Sequence, residues 1–225
     1  VAAVSGVGAQ WNVYNHRSLW QRLLPEGRYE GSFTTPQGVY LYGWNQQQFV
    51  VSSWGGVCET LPEKELPAHI LAAHLAQRPD AQRIAIVSPS ALGLCNMFLT
   101  VPNVIAVTWV PLDAAYPGNL LRVLPESLHP SDKRLTLAHR EARRYFVEHA
   151  DEQYDLIVLY LPDVSTLALN HYTTAEFFAS LKKHLPQSGV LSIRVRGPLN
   201  FITPEIAQLG AGLLASLETS FSYTA

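Results

Sequence analysis

The stretch Arg83 to Leu94, RIAIVSPSALGL, runs from an apolar β-forming segment into a turn of small hydroxyl residues. A strand, a tight turn and a helix start in that order form the unit with which doubly wound folds hold a nucleotide or nucleoside. Glycines there let backbone N–H groups close on the ligand, and the helix N-terminus favours negative charge. Here the turn carries Ser88, Pro89, Ser90 and Ala91 with one glycine, Gly93. Each added Cβ narrows the permitted dihedrals and Pro89 removes a donor, whereas Ser88 and Ser90 supply hydroxyls. Asp113 lies 20 positions past Gly93, about where such folds place an acid that accepts both ribose hydroxyls. The competing reading makes Asp113 the cap of a helix beginning near Ala114. Glu141-Ala142 marks a third strand end, and Glu141 is either a ligand acid or the N-terminal acid of the helix after it.

Positioning these groups takes a sheet. Apolar runs at Arg83, Val104, Arg134, Asp155 and Gly189 alternate with helix-like stretches over Leu92 to Leu99, Asn119 to Leu124, Ala142 to His149 and Thr174 to His184. Short apolar strands alternating with helices predict βαβ units and a mostly parallel sheet covered on both faces. Before them, β-formers between Glu30 and Ser53 alternate around turn signals at Pro36-Gln37-Gly38 and Gly43-Trp44-Asn45, which predicts a small antiparallel β subdomain. Thr60 with Glu63 and Thr173 with Glu176 read as capping boxes, and Thr203-Pro204 as a further helix start. The expected organisation is a tail over 1–9, the β subdomain over 10–59 and an α/β domain over 60–225, with both ends cut.

The chain has 225 residues, 48% of them hydrophobic and 15% charged, with a formal net charge of −2. That balance fits one large buried sheet and gives no electrostatic footprint for nucleic acid. Cys58 and Cys95 have no ligand spacing, and His69 and His74 are not at the i, i+4 spacing of a zinc pair, so no metal is expected. Neither a phosphate-binding GxxxxGK(S/T) loop nor a nucleophile elbow occurs.

Strand, turn, acid, the Glu141-Ala142-Arg143 triplet, then YDLIVLYLPDVSTLALNHYTTAEFF and the closing SGVLSIRV resemble the spermidine synthases. These are aminopropyltransferases on the class I S-adenosylmethionine methyltransferase fold, a Rossmann-like parallel sheet with helices on both faces. The resemblance runs from about Trp20 to the C-terminus and is most specific over Tyr154 to Phe178. It is closer to divergent, often membrane-fused bacterial members than to the soluble enzymes.

The resemblance assigns Ser88 through Gly93 to the cofactor turn, Asp113 to the ribose acid, and Glu141 with Ala142 to the acid that meets the adenine. Tyr160 falls where the family has its proton-accepting catalytic Asp, and Asp163 keeps the second acid of that motif. Pro111, Arg140 and Val164 replace a family Glu, Gly and Pro. The implied cofactor is S-adenosylmethionine or decarboxylated S-adenosylmethionine and the implied acceptor a polyamine. A homodimer through the β subdomain, a cytoplasmic location and membrane segments outside these residues are also implied. A phenol with a pKa of about 10 is a poor stand-in for a carboxylate that must deprotonate an amine, so polyamine synthase activity is expected to be weak or lost. A non-catalytic interaction domain and a transferase for another acceptor remain open.

Overall fold

A computed structural model describes residues 2–63, 68–161, 170–194 and 203–222. The chain opens with α1 (Ala2–Leu23) and continues into four strands, β1 (Arg28–Thr35), β2 (Gly38–Asn45), β3 (Gln48–Ser53) and β4 (Gly56–Leu61). These pair as an antiparallel meander in the order β1-β2-β3-β4. The first turn falls at Pro36-Gln37 as expected, with the Thr35 hydroxyl accepting from the amides of Gln37 and Gly38 at 3.2 and 3.3 Å. The second does not fall at Gly43. The chain reverses at Gln46-Gln47, whose φ values of 44° and 68° supply the left-handed twist of a two-residue hairpin loop without a glycine. Gly43 lies inside β2 because β1 crosses it closely: a Cβ there would stand 2.0 Å from the carbonyl oxygen of Arg28.

The expected tail over 1–9 is described from Ala2 onward as part of α1. This helix docks through Trp20, fully buried against Leu41 and Val50 on the outer face of the small sheet. Thr60 and Glu63 do bond, Oγ1 to Oε2 at 2.9 Å, but Thr60 belongs to β4 and caps no helix. The next helix, α2, is described over Ala68–Ala76.

From Arg83 the alternation holds: β5 (Arg83–Ser88), α3 (Leu92–Leu99), β6 (Ala106–Pro111), α4 (Tyr116–Val123), β7 (Leu135–Leu137), α5 (Ala142–Glu148), β8 (Leu156–Leu159), α6 (Ala175–Lys182), β9 (Val190–Ile193) and α7 (Pro204–Glu218). Thr174 rather than Thr173 is the N-cap of α6, accepting from the Phe177 amide at 3.3 Å. The five strands form a parallel sheet in the order β7-β6-β5-β8-β9. This is the class I methyltransferase-like α/β fold expected from the sequence. Order along the sheet reverses at β5, so the crevice of interest opens beyond the carboxyl ends of β5, β6 and β8.

Period-2 alternation along the strands builds two cores. Ile84, Ile86, Val107, Trp109, Leu156 and Val158 face α3, α4 and the small sheet. Ala85, Val87, Ile157 and Leu159 face α5 and α6. The small sheet joins the first core through aromatic contacts, with ring centroids of Tyr40 and Tyr116 at 4.8 Å and of Phe33 and Tyr116 at 5.9 Å. It therefore lies against the same side of the parallel sheet as the turn after β5.

Candidate functional site

Ser88 ends β5 almost fully buried, and its hydroxyl donates to the carbonyl of Ser90 at 2.7 Å. The Trp109 indole N–H donates to the Ser88 carbonyl at 3.0 Å, tying this turn to β6. Ser90 turns the other way and donates to the Cys58 carbonyl of β4 at 2.5 Å. Both hydroxyls that the sequence offers to a ligand are thus engaged within the chain.

The helix start after this turn is capped from a distance. Ala91 occupies the N-cap position and has no side-chain oxygen to offer. The Glu59 carboxylate of β4 accepts from the amides of Gly93 at 3.0 Å and Leu92 at 3.3 Å instead. Burial pushes the Glu59 carboxyl up to about 7, against the lowering effect of the Gly93 and Leu92 amides and with the charge of Glu63 adding to the rise. Burial likewise pushes the neighbouring Cys58 thiol up to about 12.

Asp113 follows β6 and is only 3% exposed. One oxygen, Oδ1, accepts from the Ala115 amide at 3.0 Å, while Oδ2 is buried without a hydrogen-bond partner. Across from it stands Tyr40 of the small sheet, whose phenol is raised by burial first and by the Asp113 charge second. Gln37 reaches over from the β1–β2 turn and donates to the Leu112 carbonyl at 2.8 Å.

Glu141 is the N-cap of α5, accepting from the amides of Arg143 at 3.0 Å and Arg144 at 3.4 Å. Its Oε1 also accepts from the Tyr172 hydroxyl at 2.5 Å. Ala142, next in the chain, is fully buried. Tyr160 follows β8, its amide donating to the Val87 carbonyl at 2.9 Å. Arg194, at the end of β9, donates to the Tyr160 hydroxyl and stands over its ring with the guanidinium carbon 4.6 Å from the centroid. Asp163 lies outside the described residues.

The turn after β5, Asp113 and the small sheet come together around the ends of β5 and β6, whereas Glu141 packs with Tyr172. A groove of about 1280 Å³ lies to one side, along β9 between α2 and α7, and reaches the strand ends through Arg194. His74 Nδ1 and the Ser192 hydroxyl meet on its wall at 2.7 Å. Among the described residues no three His, Cys, Asp or Glu side chains converge as a metal site, and no helix is long and apolar enough to cross a membrane.

No protein-family model matches the chain. It is 32% identical over 186 residues to a polyamine aminopropyltransferase of Leptospira interrogans, covering 76% of this chain and 37% of that protein. This similarity supports reading the chain as spermidine synthase-like over the matched residues. A polyamine aminopropyltransferase of Oceanobacillus iheyensis is 31% identical over 68 residues, 30% of this chain and 13% of that protein. The chain thus spans well under half the length of these curated relatives. Among solved structures, the spermidine synthase of Thermotoga maritima superposes with a TM-score of 0.66 at 15% identity, covering 87% of this chain and 65% of that one. A spermidine synthase in complex with the transition state analogue AdoDATO gives 0.65 at 16% identity, with 87% and 64% covered. Human methyltransferase-like protein 13 in complex with SAH gives 0.51 at 17% identity, with 69% and 72% covered. These structures establish the shared fold.

Within this spermidine synthase-like chain, two residues at the site escaped the sequence reading. Glu59 acts across more than 30 positions, and its one signal is negative: a helix whose N-cap is Ala91 needs a cap from elsewhere. Arg194 stands out as a cation closing an apolar strand, but its pairing with Tyr160 exists only once β8 and β9 lie side by side.

Proposed function

We propose that this chain is a spermidine synthase-like domain that keeps a nucleoside crevice and in which aminopropyl transfer to a polyamine is weak or lost. The carrying observation is the pairing of Tyr160 with Arg194. In aminopropyl transfer a neutral amine nitrogen attacks the carbon beside a sulfonium, the carbon–sulfur bond breaks and the thioether leaves. The nitrogen must first give up a proton, and a carboxylate at the strand end both attracts the ammonium form and takes that proton. At the strand end that the resemblance gives to that carboxylate, the chain has a phenol hydrogen-bonded to a guanidinium. A cation there repels a polyamine.

The nucleoside half of the reading rests on Asp113. Its buried Oδ2 makes no hydrogen bond of good geometry, although the Tyr40 phenol is near enough to act on the carboxylate, and a ribose hydroxyl is a donor of the right kind for that position. The nucleoside analogues named with two of the solved neighbours, AdoDATO and SAH, indicate the ligand class. S-adenosylmethionine or its decarboxylated form would be held by Asp113 beside the turn from Ser88 to Gly93, whose hydroxyls and first helix amides are bonded within the chain, and would supply the electrophilic carbon. A second reading, a non-catalytic interaction domain, draws support from the small sheet lying against the turn through Ser90 and Glu59.

Incubation with decarboxylated S-adenosylmethionine and putrescine, followed by chromatography for spermidine and methylthioadenosine, tests the proposal together with calorimetry of the nucleoside alone. Heat of binding with no product is the expected result. Turnover at a rate ordinary for an enzyme, on the order of 1 per second or faster, would sink it, and neither heat nor product would favour the non-catalytic reading.

A further inference from the structure

β9 is the last strand on its side of the parallel sheet, and its residues are half-buried where those of β8 are fully buried. The groove of about 1280 Å³ follows this strand between α2 and α7. Its long walls are aliphatic: Ile70 of α2, Leu191 and Ile193 of β9, and Leu213 and Leu214 of α7, the last 45% exposed. No atom lies within 4 Å of where a Cβ on Gly210 would stand, so the groove is open there too. Apolar surface left in water along a groove favours an apolar occupant.

The end of the groove at Arg194 is polar. Alternation along β9 puts Ser192 and Arg194 on one face, and the Ser192 hydroxyl meets His74 Nδ1 of α2 at 2.7 Å. Burial first and the Arg194 charge second hold His74 below its ordinary titration range, so Arg194 is the cation of this end. Arg194 donates to the Tyr160 hydroxyl and makes no ion pair among the described residues. A guanidinium carries further N–H donors in a fork that matches a carboxylate. Glu218, the one acid among the described lining residues, ends α7 two positions before Ser220, whose carbonyl accepts from Lys182.

We propose that this groove is a binding site for an amphipathic carboxylate, its head on Arg194 beside the His74–Ser192 pair and its unbranched aliphatic tail along β9 between α2 and α7. The inference does not rest on the nucleoside reading. An aliphatic tail gains from leaving water along the whole groove, whereas a bare anion gains only a partly solvated ion pair. A tail with a hydroxyl head forfeits the charge-assisted bonds to the guanidinium.

Decanoate, decan-1-ol and octanoate separate the two halves of the site. Titrated by calorimetry into the 225-residue chain, decanoate is expected to bind about tenfold more tightly than decan-1-ol. It is also expected to bind about tenfold more tightly than octanoate, which is two methylenes shorter. Arg194→Gln is expected to weaken decanoate about tenfold and to leave decan-1-ol unmoved, and Arg194→Lys to recover part of the loss. Leu214→Glu changes an exposed position that the fold does not need, and sets a carboxylate against the tail. It is expected to weaken decanoate and decan-1-ol alike, by about tenfold.

No binding of decanoate at concentrations up to about 1 mM, equal binding of decanoate and decan-1-ol, or a decanoate affinity that Arg194→Gln and Leu214→Glu leave unmoved would overturn the inference. So would a dimer in sedimentation that Leu214→Glu dissociates and decanoate does not, since a second copy of the chain would then cover the groove.

Discussion

Arg194 donates to the Tyr160 hydroxyl while its guanidinium carbon lies 4.6 Å from the centre of the same ring. Two neighbouring parallel strands, β8 and β9, end together, so their next residues share one position at the mouth of the crevice. A planar cation against an aromatic face, with one hydrogen bond at its rim, is a stabilising contact as well as a change of local charge.

Arg194→Ala is accordingly expected to lower stability by about 1 kcal/mol, the size of a partly solvated cation–π contact. Urea denaturation measures it. Arg194→Lys keeps the charge but loses the planar stacking, and is expected to recover only part of the loss. An Arg194→Ala midpoint equal to that of the unaltered chain would show that the contact is not formed.

Glu59 gives the chain a pH dependence of defined sign. Its carboxyl titrates at about 7 in the folded chain because of burial, and at 4.5 in the unfolded one. Below the lower value both states hold the proton and the contribution of Glu59 is intact. As pH rises toward and through 7 the unfolded chain ionises more readily, and stability falls. At about 1.4 kcal/mol per unit of separation, the loss amounts to about 3 kcal/mol. Glu59→Gln is expected to flatten this slope and to be more stable than the unaltered chain at about pH 8. Denaturation at about pH 5 and about pH 8 decides it, since equal slopes in the two proteins would assign the dependence to other groups.

Gly43→Ala tests the close crossing of β1 and β2. The Arg28 carbonyl oxygen stands 2.0 Å from the would-be Cβ, so the strands must separate or the pairing must slip. The expected cost is about 3 kcal/mol, at the upper end of what overpacking does. At Gly55, where φ is +76° and space is open, alanine meets only backbone strain, and about 1 kcal/mol is expected. Thermal melts of the two variants should be well separated.

Glu141→Ala removes the acceptor of two α5 amides and of the Tyr172 hydroxyl together. A loss of about 1–2 kcal/mol is expected with no nucleoside present, as for other lost N-caps. Tyr172→Phe, which breaks only the hydroxyl bond, should cost about 1 kcal/mol or less. Chemical denaturation without ligand separates this structural role from any contact with an adenine.

The parallel sheet was legible because β5, β6 and β8 are apolar on both faces and the helices between them keep their period. The small meander was legible as β structure but not in its second turn: Gly43 signals a turn and instead permits a close crossing, while Gln46 and Gln47 accept left-handed backbone without looking like turn residues. Thr60 and Glu63 have the spacing of a capping box but bond side chain to side chain within and just after a strand, where local spacing says nothing of the backbone. Glu141 revealed both of its alternatives, and the structure shows the cap. Glu59 was invisible because its partners are set by the docking of one sheet on another.

Tryptophan placement in these two sheets gives the chain an optical contrast of its own. Trp20 and Trp109 have no exposed surface, one on the outer face of the meander and the other within the parallel sheet, while Trp54 at the β3–β4 turn is 88% exposed and Trp11 is 63% exposed. An aqueous quencher will dim the outer pair and spare the inner one. The order in which Trp20 and Trp109 become quenchable during denaturation therefore reports whether the meander and the parallel sheet come apart together or in turn.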